Sequence, residues 1–286
     1  MKEIINARRG FIKRSVASLI TISSVTTVYS RDFMSQFPML IDPENISSKY
    51  PSTDDKRAAR VVGASHGDFD TVKRLVSESP ELALATWDWG FGDWESALGA
   101  ASHVGRKDIA DFLIAHGARP NIFTLTMMGA LDAVSAIIKA VPGIQRIPGP
   151  HGITLLQHAK NRLKVKDLSN DDVTALQKLV SYLESLGDAD QRATSLEISE
   201  QDKSIYLGKY SFGDTEDAVF EISLNSGKLL QIRRSAPFGH ALHRVDEHTF
   251  SPAGAPSVKI SFMVENGKAT SLTIHQPTPV ITANRI

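Results

Sequence analysis

Apolar residues recur at helical spacing from about residue 54 to 190, then change to strict alternation from about 204 to the end. Ser52-Thr53-Asp54-Asp55 supplies N-cap chemistry ahead of the first helical run, and Gly and Pro clusters divide the rest of the helical region into short helices. In the alternating part, Ala218 to Leu224 and Lys228 to Arg233 flank Asn225-Ser226-Gly227. Ser257 to Val264 and Ala269 to Ile274 flank Asn266-Gly267, a tight-hairpin signal. The polar stretch from Ala189 to Lys203 marks a boundary. The pattern predicts helical repeats over 52–190, a linker over 191–203 and an antiparallel β-domain over 204–286.

Several helical segments align with one another. The clearest runs from Ser96-Ala97-Leu98-Gly99-Ala100-Ala101-Ser102-His103-Val104-Gly105 through Phe112-Leu113-Ile114-Ala115-His116-Gly117-Ala118-Arg119-Pro120-Asn121. Val61 to Val76, Met127 to Val134 and Gly152 to Ala159 repeat parts of it, with Gly turns at 67, 105 and 129. This resembles an ankyrin repeat, with a short inner helix, a Gly turn, an outer helix and a G-A-D-x-N-like close. The opening of the β-domain, Tyr206-Leu207-Gly208-Lys209-Tyr210, resembles that of the small β-domain behind some β-lactamase-like serine hydrolases. The hydrolase domain itself has no counterpart, so no hydrolytic residue carries over. The fold class these resemblances imply is α+β, an N-terminal ankyrin-like helical repeat stack followed by a small antiparallel β-meander or barrel-like domain.

Composition narrows the chemistry. The absence of cysteine excludes disulfides, thiolate nucleophiles and cysteine metal sites, and suits an oxidising compartment. Charge is balanced overall, yet Lys2, Arg8, Arg9, Lys13 and Arg14 stand against only Glu3 in residues 1–30, about +4. The remaining chain is slightly acidic, which argues against a nucleic-acid partner. Asn6-Ala7-Arg8-Arg9-Gly10-Phe11-Ile12-Lys13, ahead of a short apolar Ser/Thr-rich stretch, resembles a bacterial twin-arginine signal, carried by Arg8, Arg9, Phe11 and Lys13. Ala7 stands where Ser or Thr is usual, and no clean A-x-A cleavage site comes after it. The resemblance implies a signal peptide over 1–30, a linker over 31–51 containing Pro38 and Pro43, and a periplasmic or secreted protein. No stretch approaches the roughly 20 apolar residues of a membrane span.

No catalytic motif stands out. Gly63-Ala64-Ser65-His66-Gly67 fits the nucleophile-elbow pattern, but a helix rather than a strand precedes Ser65. The nine histidines form no H-E-x-x-H or other compact ligand set, so neither a metal nor a cofactor is expected. His66 and His103 each precede a Gly turn, His158 reads as a packed helix residue, and Pro148-Gly149-Pro150-His151-Gly152 reads as a connecting loop. The notable segment is Trp87-Asp88-Trp89-Gly90-Phe91-Gly92-Asp93-Trp94, which holds all three tryptophans and falls in the projecting finger of the aligned repeats. Aromatics dominate binding hot spots. The candidate binding residues are therefore Trp87, Asp88, Trp89, Phe91, Asp93, Trp94, Glu95 and His103. The expected function is a protein- or peptide-binding scaffold of the cell envelope. One alternative is an envelope hydrolase or its accessory subunit, with Asp88, Asp93, Glu95 and His103 gathered between the two parts. Another is a small-ligand β-domain on a repeat stalk.

Overall fold

The computed structural model of the chain describes residues 52–166, 168–191, 195–234, 239–275 and 279–286. The expected signal (1–30) and linker (31–51) lie outside them. The chain from Thr53 begins with helices in antiparallel pairs: α1 (Asp55–Ala64) with α2 (Phe69–Glu78), α3 (Ala97–His103) with α4 (Lys107–Ala115), α5 (Ile122–Met127) with α6 (Leu131–Ala140), and α7 (Leu155–Leu163) with α8 (Asn170–Ser185). Polar side chains set the starts. Asp54, Asp68, Ser96, Asn121, Thr154 and Ser169 each accept a backbone N–H one turn into the helix they precede.

The apolar faces of these helices fill two clusters. One centres on Val61, Val72, Leu82, Ile109 and Leu113, the other on Val134, Leu155, Leu179 and Leu183. Each such side chain removed from water contributes about 1.5–3 kcal/mol before entropy is set against it.

The helical part departs from the expected fold class. No ankyrin-like repeat stack is evident among the described residues. The pairs are unequal, with first helices of 10, 7, 6 and 9 residues and second helices of 10, 9, 10 and 16. Their connections differ too: a hairpin of β1 (Thr86–Asp88) and β2 (Trp94–Ser96) separates the first two pairs, and 3-10 turns separate the last two. A regular stack requires neighbours to present the same face at the same register, and these insertions break it.

The expected antiparallel β-domain, meander or barrel-like, takes the form of a closed antiparallel barrel. Its strands are β3 (Gly208–Ser211), β4 (Val219–Leu224), β5 (Leu230–Arg233), β6 (His240–Asp246), β7 (Thr249–Pro252), β8 (Lys259–Glu265), β9 (Lys268–His275) and β10 (Ile281–Arg285). Neighbours in sequence pair, and β10 closes on β3 through Asn284 opposite Ser211 and Arg285 opposite Tyr210. Eight strands leave an interior that side chains can fill. Tyr206, Tyr210, Phe220, Ile232, Phe250 and Phe262 do so. Closure removes the sheet edges that an open meander would expose.

Part of the expected 191–203 linker packs on this barrel. Leu196 donates its N–H to the Arg244 carbonyl at 2.8 Å, and α9 (Glu200–Lys203) places the Lys203 ammonium on the Lys228 carbonyl at 2.8 Å. The helices and the barrel belong to one unit, Thr53–Ile286. None of the described helices is long and apolar enough to cross a membrane.

Arg285 clasps the barrel seam. Its guanidinium donates to the carbonyls of Ala269 and Ile205 and to the Tyr210 hydroxyl, and lies 5.2 Å from the Tyr210 ring centroid. Arg285→Met strands these acceptors and is expected to cost about 2–3 kcal/mol. Calorimetry should show the unfolding midpoint falling by roughly 5 °C or more. An unchanged midpoint would remove the clasp.

Candidate metal centre

Three imidazoles and one carboxylate converge where the helical part meets the barrel. His66, Glu95, His103 and His151 each offer a ligand atom, and these atoms lie within 4.8 Å of one another. Glu95 is at the centre and only 1% exposed. His103 Nδ1 is 2.8 Å from its Oε1, while His66 Nε2 and His151 Nε2 are each 3.4 Å from its Oε2. In a tetrahedral zinc site with bonds of 2.0–2.1 Å, adjacent donors stand roughly 3.3 Å apart.

Each group is aimed by local structure. His66 follows the end of α1, and its Nδ1–H donates to the Gly63 carbonyl at 3.1 Å. A carbonyl only accepts, so the Nε2 lone pair is left facing Glu95. Glu95 is the middle residue of β2, opposite Trp87, and its Oε2 accepts the Trp89 indole N–H at 2.8 Å. His103 closes α3, and α7 secures it through Asn161, whose amide donates to the His103 carbonyl at 2.8 Å. The turn after it admits α7 closely, because a Cβ on Gly105 (φ +79°) would meet Arg162 Cα at 2.9 Å.

His151 stands at φ +58° in a 3-10 turn over Pro150–Gly152. Non-glycine residues in that region cost of order 1–3 kcal/mol, and such strain concentrates at functional sites. Asp93 holds the strained residue from both ends. Its Oδ1 accepts the His151 backbone N–H at 2.9 Å, and its Oδ2 accepts Nδ1–H at 2.7 Å. This carboxylate–imidazole arrangement holds a proton on Nδ1, so that the ring, once neutral, presents its lone pair at Nε2, as in the outer shell of metal sites. The barrel touches Asp93 at Gly254 (φ +80°), where any Cβ would run into the carboxylate.

The electrostatics are those of ligands held close without an ordinary bonding pattern. Burial opposes charge on Glu95, yet nearby His103 and His151 outweigh it and hold the carboxyl well below the usual range. Burial lowers His151, but the bonds to Asp93 and Glu95 prevail and push it up to about 9. His66 is lowered, chiefly by burial against the opposing pull of Glu95. Glu95 Oε1 and His103 Nδ1 face each other at 2.8 Å, and both buried atoms lack a hydrogen-bond partner. Such orphans are rare, and an ion is one standard explanation. The donors are all nitrogen or oxygen, a set that suits zinc and other first-row divalent ions.

The site opens on one side. A cavity of about 370 Å³ is lined by His66, His103, His151, Trp89 and, from the barrel, His240 and Asn225. His66 and His151 keep 32% and 29% of their side chains exposed, so an ion here would not be sealed. His240 donates through Nε2 to the Trp89 carbonyl at 3.0 Å and joins the two parts of the chain across the cavity.

The segment singled out from the sequence forms the finger between β1 and β2, and its members separate into different roles. Glu95 and His103 are in the ligand cluster, while Asp93 and Trp89 brace it. Phe91, at φ +61° on the tip, packs on the barrel core and meets the His240 ring edge-on at 5.2 Å. Asp88 caps the turn by accepting the Gly90 N–H at 2.9 Å. Trp87 packs on the helical core, and Trp94 is exposed at 62%. Ser65 is fully buried and donates to the Val61 carbonyl at 2.7 Å, which rules out a nucleophile elbow. Sequence reasoning missed His66 and His151 as ligands and His240 as a wall residue. In the sequence only the flanking Gly149-Pro150 and Gly152 set His151 apart.

Comparison of the chain with protein-family models, with curated protein sequences and with solved structures returned no match.

His158 lies beside the cluster, its ring perpendicular to His103 at 6.5 Å between centroids. Its Nδ1–H donates to the Thr154 carbonyl at 2.8 Å, and its buried Nε2 has no partner. Burial pushes it down to about 4. Because the folded value lies below the unfolded value of about 6.5, the unfolded chain binds more protons between those limits. The metal-free protein should lose stability as pH falls from about 6.5 towards 4. His158→Leu should flatten that slope by up to about 3 kcal/mol. Urea titrations at pH 7 and pH 5 with equal slopes in both proteins would refute this.

Proposed function

We propose that the chain binds one divalent transition-metal ion through His66, His103, His151 and Glu95, and that the ion acts on a small molecule held in the adjoining cavity. The observation that carries this reading is the contact between Glu95 Oε1 and His103 Nδ1, buried and without a hydrogen bond between them. Two further features support it. With neutral imidazoles, the Glu95 and Asp93 carboxylates balance a divalent charge. Four protein donors already fill a tetrahedral shell, so a substrate atom would take a fifth position, and the one-sided opening leaves that position facing the cavity. The reaction class this favours is metal-assisted hydrolysis or a related Lewis-acid reaction, in which a bound ion polarises a carbonyl or phosphoryl oxygen. This develops the alternative of an enzyme site between the two parts of the chain.

In this reading Asp93 positions His151, Trp89 orients Glu95 and His240 forms the far wall. Equilibrium dialysis with metal analysis should give one zinc or cobalt per chain. The cobalt form should show the visible bands of a four- or five-coordinate nitrogen–oxygen site. His103→Ala and Glu95→Ala are expected to lower affinity at least a hundredfold, and Asp93→Asn about ten- to a hundredfold. Failure to take up any first-row divalent ion at micromolar concentration would sink the proposal.

A second reading keeps one observation. Trp94 projects from the finger at 62% exposure, a suitable anchor for the protein partner expected from the sequence. Trp94→Ala leaves the ligand cluster intact, so loss of protein capture with metal uptake unchanged would favour this reading. Equal capture by both forms would dismiss it.

A further inference from the structure

A second cavity, of about 280 Å³, lies at the mouth of the barrel. Phe220, Ile232, Ile274 and Ile281 line it from the barrel wall, and Phe91 enters from the finger tip. Trp89 and His240 belong to the lining of this cavity and of the metal cavity alike. The two chambers therefore share wall residues. In that shared wall His240 Nε2 donates to the Trp89 carbonyl at 3.0 Å. On one edge the indole donates to the ligand carboxylate of Glu95 at 2.8 Å, so one chamber begins about an indole's breadth from the metal ligands.

The two chambers are lined by different residues. The first presents the imidazoles of His66, His103, His151 and His240. The second offers isoleucine and phenylalanine, and the two arginines on its rim are engaged elsewhere. Arg233 pairs with Glu221 at 2.6 Å, and Arg234 donates to the Asp217 carbonyl at 2.8 Å while lying over the Phe212 ring. A barrel of eight strands is normally filled by its own side chains or holds one small ligand. Here the mouth adjoins the ion chamber and is lined by apolar groups.

We infer that the molecule acted on is an amphiphile. An oxygen-donor head, such as the carbonyl of an acyl compound, meets the ion, while its unbranched apolar tail passes Trp89 and His240 into the barrel mouth. This inference rests on the metal reading and adds the class of substrate. It also assigns a task to the barrel, whose described residues supply no member of the ligand cluster. Burying one methylene tightens binding about fourfold, so the length of the tail becomes the measurable quantity.

The test uses zinc-loaded full-length protein and two hydroxamates that share a metal-binding head, acetohydroxamate and octanohydroxamate. Zinc content is measured alongside. Calorimetry should show octanohydroxamate at least about a hundredfold tighter, equivalent to three or four buried methylenes, with a change in Trp89 fluorescence. Ile281→Trp fills the chamber and Ile281→Glu places a charge in it. Both should abolish the preference for the long tail while zinc content and acetohydroxamate affinity stay unchanged, and either folded variant suffices. Equal affinity of the two hydroxamates for the zinc-loaded chain overturns the amphiphile inference and leaves the metal reading intact. So does a tail preference that survives both substitutions. A chain that takes up no zinc overturns the metal reading, and the amphiphile inference with it.

Discussion

A buried carboxylate organises this molecule. Taking Glu95 out of water costs several kcal/mol unless other groups compensate, and the surrounding elements are arranged to do so. The finger hairpin places it, α1 and α3 bring His66 and His103 from one side, and the strained turn at His151 closes from another. The Trp89 indole donates a direct hydrogen bond to its Oε2. Three imidazoles and a carboxylate at this spacing form a poor hydrophobic core and a good ligand set. Departures from ordinary core chemistry of this kind are where function is expected.

The finger couples the two parts of the chain. Its base belongs to the helical part, where β1 and β2 run on from the first helix pair and Trp87 packs on the helical core. Its tip belongs to the barrel, where Phe91 joins the apolar interior and the Trp89 carbonyl receives His240. Asp93 serves both, bonding His151 twice and filling the space that Gly254 leaves open. One short hairpin thus sets the ligand geometry, the cavity wall and the docking of the barrel. Its glycines are needed at Gly90 and Gly92, both at positive φ, because the tip must reverse within a few residues.

Local signals in the chain were readable because they depend on neighbours in sequence. Asn266-Gly267 turns β8 into β9, and the capping residues Asp54, Ser96 and Thr154 begin helices where their side chains reach back to the first turn. The helical segments share a likeness in sequence. It did not extend to a repeat stack, because the hairpin and 3-10 insertions that interrupt the pattern control packing more than the shared apolar positions do. Closure of the barrel was hidden for a similar reason: it depends on Arg285 meeting Tyr210 and Asn284 meeting Ser211, pairings that join opposite ends of the domain.

The candidate site divides along the same line. The sequence by itself marked the finger, with its clustered tryptophans and acids, and so reached Asp93, Glu95 and, one helix on, His103. It could not join them to His66, to His151 or to the barrel's His240. Those residues are distant in sequence, and each taken alone is an ordinary turn or strand histidine. Only the tertiary structure brought the imidazoles to one carboxylate and set an apolar chamber beside them. The physical reason is reach. Turn and capping preferences act over a few bonds, whereas a ligand set needs side chains from separate elements held within a few ångströms, and the packing of the whole unit alone can hold them there.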